Sequence, residues 1–199
     1  MALDTYTDLV TEVGEYLDRP DLAARVPTFV RLSEARLNRV LDDPDMEVAA
    51  TVTASGALTA LPADFGSMVS VNTGGGFLEA LGPVQFAGLD HTVMAAPRFY
   101  SISTNGISFA PGNSTALISM VYRRRIPALT AAAPTNWLLT RAPDVYLYGA
   151  LLQASAFLVE DDRLGLWKSA FDEAIAELRT DGARRKWGAG PIAPRIGRT

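Results

Sequence analysis

The spacing of apolar residues changes twice along this 199-residue chain, and that change limits the folds open to it. Before about residue 45 and after about residue 135, apolar side chains recur every three or four positions, as on one face of an α-helix. Between them, short β-rich runs alternate with turn residues. We therefore predict an α+β protein, in which N- and C-terminal helices build a four-helix bundle and an antiparallel β-rich region is inserted between them.

Apolar stripes and end signals define the helices. Thr5 and Asp8 have the form of a capping box at the start of the first helix. The second should end before Pro44, because the residue before a proline resists the helical conformation. Gly182 should end or weaken the fourth. The predicted helices cover about 5–18, 26–42, 143–159 and 162–181.

The middle of the chain predicts short strands joined by tight turns. Hairpin turns are predicted at Ser55-Gly56, at the glycine run 74–76, at Asn105-Gly106 and at Pro111-Gly112-Asn113, and Asn-Gly is the strongest of these signals. A short helix is expected over 83–89, and the Ala- and Pro-rich segment 127–134 is predicted to be a connector. The predicted strands cover about 47–53, 57–61, 67–72, 77–81, 98–103, 106–110 and 115–124.

These patterns predict three parts. Residues 1–45 and 135–187 form the helical bundle, residues 46–134 form the β-rich insertion with its connector, and residues 188–199 form a flexible basic tail. The last 18 residues carry five bases and no acid, although the whole chain has a net charge of −4. The body is therefore acidic, which argues against a nucleic-acid clamp.

Composition removes several classes of chemistry. The chain has no cysteine, which excludes disulfides and thiolate sites, and one histidine, which excludes sites that need several imidazoles. We find neither a secretion signal nor a membrane span in the sequence. We predict no catalytic residue, no metal and no cofactor.

Three polar groups have a possible functional reading. The acidic run Asp42, Asp43, Asp45 and Glu47 could bind a cation, but it lacks the pattern of a calcium loop and favours a helix-ending loop. His91 lies beside Asp90 without any nucleophile motif, so a hydrolase is a weak alternative. Residues 123–125 are all arginine, at a solvated strand end or on a surface that meets an acidic partner.

The C-terminal cations are the stronger candidate. They lie around one tryptophan, and an aromatic anchor among cations is typical of a segment that orders on binding a partner. A merely solubilising tail is the other reading. The predicted partner-binding residues are Arg184, Arg185, Lys186, Trp187, Arg195 and Arg198.

Five stretches, taken in order, carry a resemblance that covers nearly the whole chain. They read FVRLSEARLNR at 29–39, LPADF at 61–65, PRFY at 97–100, NWLLTRAPDVYLYGAL at 136–151 and RKWG at 185–188. With these elements the chain resembles the head-to-tail adaptor, or connector, proteins of tailed bacteriophages. Its layout is similar to the tail tubular protein A type of short-tailed phages.

The resemblance implies a structural virion protein at the head-tail junction, made in the bacterial host cytoplasm. Such proteins form a ring, usually of twelve copies, between the portal protein and a downstream tail or nozzle protein. DNA passes through the channel without sequence-specific binding, and no membrane is involved. The C-terminal segment would dock onto the portal.

The third predicted helix carries more apolar surface than a small monomer readily hides, as a subunit interface requires. The predicted interface residues are Trp137, Tyr146, Leu147, Leu151 and Leu158. The alternative function is a peripheral tail module that binds a receptor or glycan through the β-rich region. Exposed aromatics would support it, and the candidates are Phe77, Phe86, Phe99, Tyr100 and Phe109.

Overall fold

The computed structural model describes residues 3–54, 58–91, 95–112, 115–158 and 162–187. The chain forms two compact units, a helical unit of residues 1–45 and 126–199 and a β-rich unit of residues 46–125. The helices are α1 Tyr6–Leu17, α2 Val26–Val40, α3 Pro83–Ala87, α4 Trp137–Arg141, α5 Pro143–Gln153 and α6 Arg163–Trp187. The strands are β1 Glu47–Thr53, β2 Phe65–Thr73, β3 Gly76–Phe77, β4 Glu79–Ala80, β5 Phe99–Ser103, β6 Gly106–Ala110 and β7 Leu117–Arg124. The predicted α+β class is confirmed.

Helix α5 is the centre of the helical unit and packs against α1, α2 and α6. Gly149 permits this packing, because a Cβ there would overlap the Ser33 hydroxyl of α2 and lie 3.1 Å from the Phe171 ring of α6. The large apolar surface expected from the sequence of α5 is therefore covered by other helices of the same chain. That coverage explains the surface without requiring a second subunit.

Two predicted helix ends differ from the structure by more than two residues. Helix α5 ends at Gln153, and a 3₁₀ segment, Ala154–Phe157, follows it. Helix α6 does not end near Gly182 but continues to Trp187. Gly182 is buried within the helix, where the absent side chain allows a close approach to the loop after α2.

The sequence did not predict α4. Asn136 begins it, since its Oδ1 accepts a hydrogen bond from the Leu139 amide at 2.8 Å. The helical unit therefore contains more helical segments than the four predicted ones.

The segment after β7 groups with the helical unit, whereas the sequence placed the connector 127–134 with the insertion. Hydrogen bonds explain the grouping. The amides of Ile126 and Leu129 each donate over 2.8 Å, to Asn38 Oδ1 and to Glu34 Oε1 respectively. Helix α2 therefore binds the segment that follows β7 through the side chains of Asn38 and Glu34.

The β-rich unit has two sheets. One is antiparallel with the strand order β1-β7-β2-β3, and the other has the order β4-β5-β6. Strands β5 and β6 are antiparallel, but β4 and β5 are parallel, which the sequence did not predict. The core residues of this unit are Ala54, Val71, Leu78, Tyr100, Ile107, Phe109, Ile118, Met120 and Tyr122.

The hairpin predictions at 74–76 and at 105–106 are confirmed. Thr73 pairs with Gly76 across the two intervening glycines, and Ser103 pairs with Gly106. Gly106 has φ +152° and lies against the Thr59 carbonyl, so a side chain there would be strained and would clash. The predicted turn at 55–56 and residue 113 of another turn lie outside the described residues.

Candidate partner-binding site

The last turn of α6 presents the described part of the predicted basic cluster. Arg184, Lys186 and Trp187 are exposed there, and Trp187 as a residue is 61% exposed. The Lys186 ammonium lies 5.7 Å from the centre of the Trp187 ring. Arg195 and Arg198 lie outside the described residues. The turn therefore offers two cations beside a large apolar ring, a combination that suits an acidic surface with an apolar pocket.

Arg185, between these cations, is engaged inside the chain. Its Nη2 donates to Asp43 Oδ1 at 2.9 Å, and its Nη1 donates to Asp45 Oδ1 at 3.0 Å. The same guanidinium has its Nε 3.5 Å from Asp181 Oδ2, one turn back on α6. Arg185 was predicted to bind a partner together with Arg184 and Lys186. Its contacts within the chain compete with that role.

A second arginine, Arg141 at the end of α4, reaches the same three carboxylates. Its Nη1 donates to Asp43 Oδ1 at 3.0 Å and to Asp45 Oδ2 at 2.9 Å, and its Nη2 donates to Asp181 Oδ2 at 2.6 Å. We call Asp43, Asp45, Arg141, Asp181 and Arg185 the clasp. Three acids and two arginines leave the clasp with little net charge.

The environment of the clasp is graded from buried to exposed. The Asp43 side chain is 1% exposed, whereas that of Arg185 is 39% exposed. The hydrogen bond from Arg185 is the main reason that the pKa of Asp45 lies below its ordinary value, and it raises the pKa of Arg185 in return. Asp43 therefore needs its arginines, because an ionised carboxylate without partners is costly to bury.

Gly182 brings α6 close enough for these contacts. A Cβ at this position would lie 2.8 Å from Asp43 Oδ2 and 3.1 Å from Pro44 Cδ.

The acidic run is thus a helix-ending loop with a further role, since it binds two arginines. Its partners lie far away in sequence, so spacing could not reveal them. Among the residues that the structure describes, no cluster of acids or histidine could hold a metal ion.

Three of the five residues predicted for a subunit interface are buried inside the single chain, and two are half-buried. Tyr146, Leu147 and Leu151 are buried within a single chain, at 0%, 5% and 0% exposure. Their burial removes the reason for assigning them to contacts between subunits. Trp137 and Leu158 are half-buried and keep some accessible surface.

Comparison with known families decides what kind of protein carries this site. The model of the SU10 adaptor protein family matches residues 4–195, nearly the whole chain. The chain belongs to the SU10 adaptor protein family. This is a family of phage head-to-tail adaptors, so the chain is a structural virion component. No curated protein matches it.

Tyr146 of the adaptor belongs to a buried polar network. Its hydroxyl donates to Glu34 Oε1 at 3.2 Å and accepts a hydrogen bond from Asn136 Nδ2 at 2.7 Å. Burial raises the pKa of both Tyr146 and Glu34. The network joins α2, α5 and the start of α4, so Glu34 is a structural residue.

The aromatics of the adaptor's β-rich unit are mostly covered. Phe77 is 78% exposed, but Tyr100 and Phe109 lie in the core, and Phe86 and Phe99 are half-buried. His91 Nε2 lies 3.1 Å from the Phe86 carbonyl oxygen, and its ring packs on Phe86. These contacts give His91 a local structural role.

The arginine run at residues 123–125 lies partly at the surface. Arg125 is exposed, whereas Arg123 and Arg124 are half-buried.

Across the described ranges, no helix combines the length and the apolar character that crossing a membrane requires.

Proposed function

We propose that this adaptor forms a ring, of twelve copies, between the portal protein and the downstream tail or nozzle protein. The helical unit, in which α1, α2, α5 and α6 form a four-helix bundle, builds the ring, and the β-rich unit faces tail proteins or neighbouring subunits. The C-terminal segment docks onto the portal. Family membership supports the adaptor role, and the exposed last turn of α6 is the observation that carries the docking proposal.

The docking surface consists of Arg184, Lys186 and Trp187, followed in the sequence by Arg195 and Arg198. The three described side chains project from one helix end, where cations are also favoured by the helix dipole. An acidic portal surface with an apolar pocket would pair with the cations and bury the indole ring. Arg185 is left out of this surface because its guanidinium already binds Asp43 and Asp45.

Among the predicted interface residues, Trp137 and Leu158 retain the surface that a subunit contact requires. We assign the ring contact to them and leave Tyr146, Leu147 and Leu151 to the core of the helical unit. The acidic character of the body suits a channel through which DNA moves, because like charges do not hold the phosphates.

Binding to portal rings tests the docking role. A variant with Arg184→Gln, Lys186→Gln and Trp187→Ala should stay folded and should no longer co-sediment with portal rings at moderate salt. The matched control is Lys168→Gln, because Lys168 is an exposed cation on the same helix. Retained binding by the triple variant would refute the docking surface.

The alternative, a peripheral tail module, depends on exposed aromatics, and Phe77 is the one candidate of five that is largely exposed. Phe77→Ala tests it. The adaptor proposal expects portal binding by this variant to equal that of the unmodified protein.

A further inference from the structure

The clasp ties the end of α6 to the loop that leads into the β-rich unit. That loop includes Asp43 and Asp45, and the 3₁₀ turn Pro44–Met46 runs directly into β1 at Glu47. No residue separates the 3₁₀ turn from the strand. If the last turn of α6 moves and displaces this loop, the displacement is therefore transmitted to β1 through a short stretch of backbone.

Several contacts make this attachment specific. The Arg185 guanidinium binds two aspartates in a fork geometry, which fixes direction as well as distance. Asp45 is held twice more, because its amide donates to Asp43 Oδ1 at 2.9 Å and Arg141 binds its carboxylate. The bare face of Gly182 lies against Asp43. The loop and the helix end thus form one packed structure.

The contacts of Arg185 can also be broken. The side chains of Arg185 and Asp45 are more than one third and about one third exposed, so water can replace part of their interaction. Arg141 still binds the buried Asp43 when Arg185 moves away. Arg184 and Lys186, the cations proposed to meet the portal, are the chain neighbours of Arg185 on both sides. A partner that binds them acts on the backbone that positions Arg185.

We propose that Arg185 is a positioning residue that couples docking at the tip of α6 to the start of β1. The coupling rests on the proposed docking function. Occupation of the tip by a partner changes the position of Arg185, the Asp43–Asp45 loop responds, and the first residues of β1 change their protection from solvent. Because such coupling is reciprocal, a ligand on β1 would also change the affinity of the tip.

Hydrogen exchange of the free full-length protein tests the clasp without the portal. Arg185→Gln should raise exchange about tenfold both at the amides of residues 184–187 and at those of residues 45–47, since one attachment holds both. Asp45→Asn, which removes the same contact from the loop side, should give the same pattern. Arg184→Gln, a neighbouring cation outside the clasp, should leave exchange at residues 45–47 unchanged. Faster exchange at the helix end alone would overturn the coupling.

Exchange in the presence of portal rings tests the coupling itself. In the unmodified protein, portal binding should change exchange at the amides of residues 45–49. Arg185→Gln should still bind the portal and lose that change, whereas Arg184→Gln should weaken binding. An equal response at residues 45–49 in the Arg185 variant, or a loss of binding as large as that of the Arg184 variant, would refute the positioning role. If the unmodified protein does not bind the portal, the proposed function is refuted. The experiment on the free protein still decides whether the clasp links the end of α6 to the loop before β1.

Discussion

Glu34 and Asp45 lie in the same unit, but their surroundings shift their pKa values in opposite directions. Burial is the main cause that raises the pKa of Glu34 above its ordinary 4.5. The hydrogen bond from Arg185 is the main cause that lowers the pKa of Asp45 below its ordinary 3.8. Ionisation therefore costs stability at Glu34 and adds stability at Asp45.

The first prediction follows from that difference in sign. Because the folded protein holds the Glu34 proton more tightly than the unfolded chain, the stability of the unmodified protein should fall as the pH rises from 4.5 through the raised pKa. Glu34→Gln keeps the acceptor oxygen and cannot ionise, so its stability relative to the unmodified protein should rise over that range. Urea unfolding at a series of pH values measures it.

Asp45→Asn is the control with the opposite sign. The unmodified protein should gain its advantage over this variant above pH 3.8 and lose it as the pH falls through the lowered pKa. A Glu34→Gln variant with the same pH profile as the unmodified protein would contradict the assignment of Glu34 as a buried carboxylate with a raised pKa.

A second prediction compares two helical glycines. At Gly14 in α1 a Cβ would meet nothing within 4 Å, so Gly14→Ala should stabilise the protein by up to about 1 kcal/mol through helix propensity. At Gly182 the same change pushes a Cβ against Asp43 and Pro44, and it should lower the free energy of unfolding by about 1–2 kcal/mol. Thermal denaturation distinguishes the two, and a gain at Gly182 would show that α6 does not need this close approach.

Secondary structure was the level at which the sequence predicted most. The predicted bounds of β1 and β6 match the structure, because regular apolar runs there end at turn residues or helix breakers. The extension of α6 past Gly182 was missed, since a glycine normally weakens a helix and only its contact with Asp43 explains its presence. The parallel pair β4 and β5 was missed because each β4 residue pairs with a distant one.

A third prediction concerns the contact between helices. Gly149→Ala should destabilise the protein by about 2–3 kcal/mol, because the new Cβ would enter the space of Ser33 and approach Phe171. Gly165→Ala in α6 is the control, since its Cβ would have open space. Urea denaturation should show a large loss for the first variant and none for the second. Equal stabilities would contradict the close packing of α2, α5 and α6.

A fourth prediction concerns the tip of α6. If Trp187 is an anchor in an apolar pocket of the portal, Trp187→Ala should cost about 2 kcal/mol of binding, which is roughly a 30-fold rise in Kd. The stability of the free adaptor should barely change, because Trp187 is 61% exposed. Titration with portal rings measures the affinity, and an unchanged Kd would remove Trp187 from the docking surface.

At the scale of the molecule, the order of the quoted motifs along the chain was enough to indicate the adaptor family, and the α+β class followed from periodicity. The clasp could not be predicted, because Asp43 lies 98 residues from Arg141 and 142 from Arg185. The apolar surface of α5 was assigned to a neighbouring subunit because sequence alone cannot tell which element covers a buried helix. Leu147 and Leu151 are covered by the chain's own helices.

Electron microscopy of the adaptor mixed with its portal rings tests the central claim most directly. We expect a ring of twelve adaptor copies on each portal, with the last turn of every α6 against the portal and the β-rich units free to meet the tail. Portals without adaptor density, or a ring whose α6 ends point away from the portal, would contradict it.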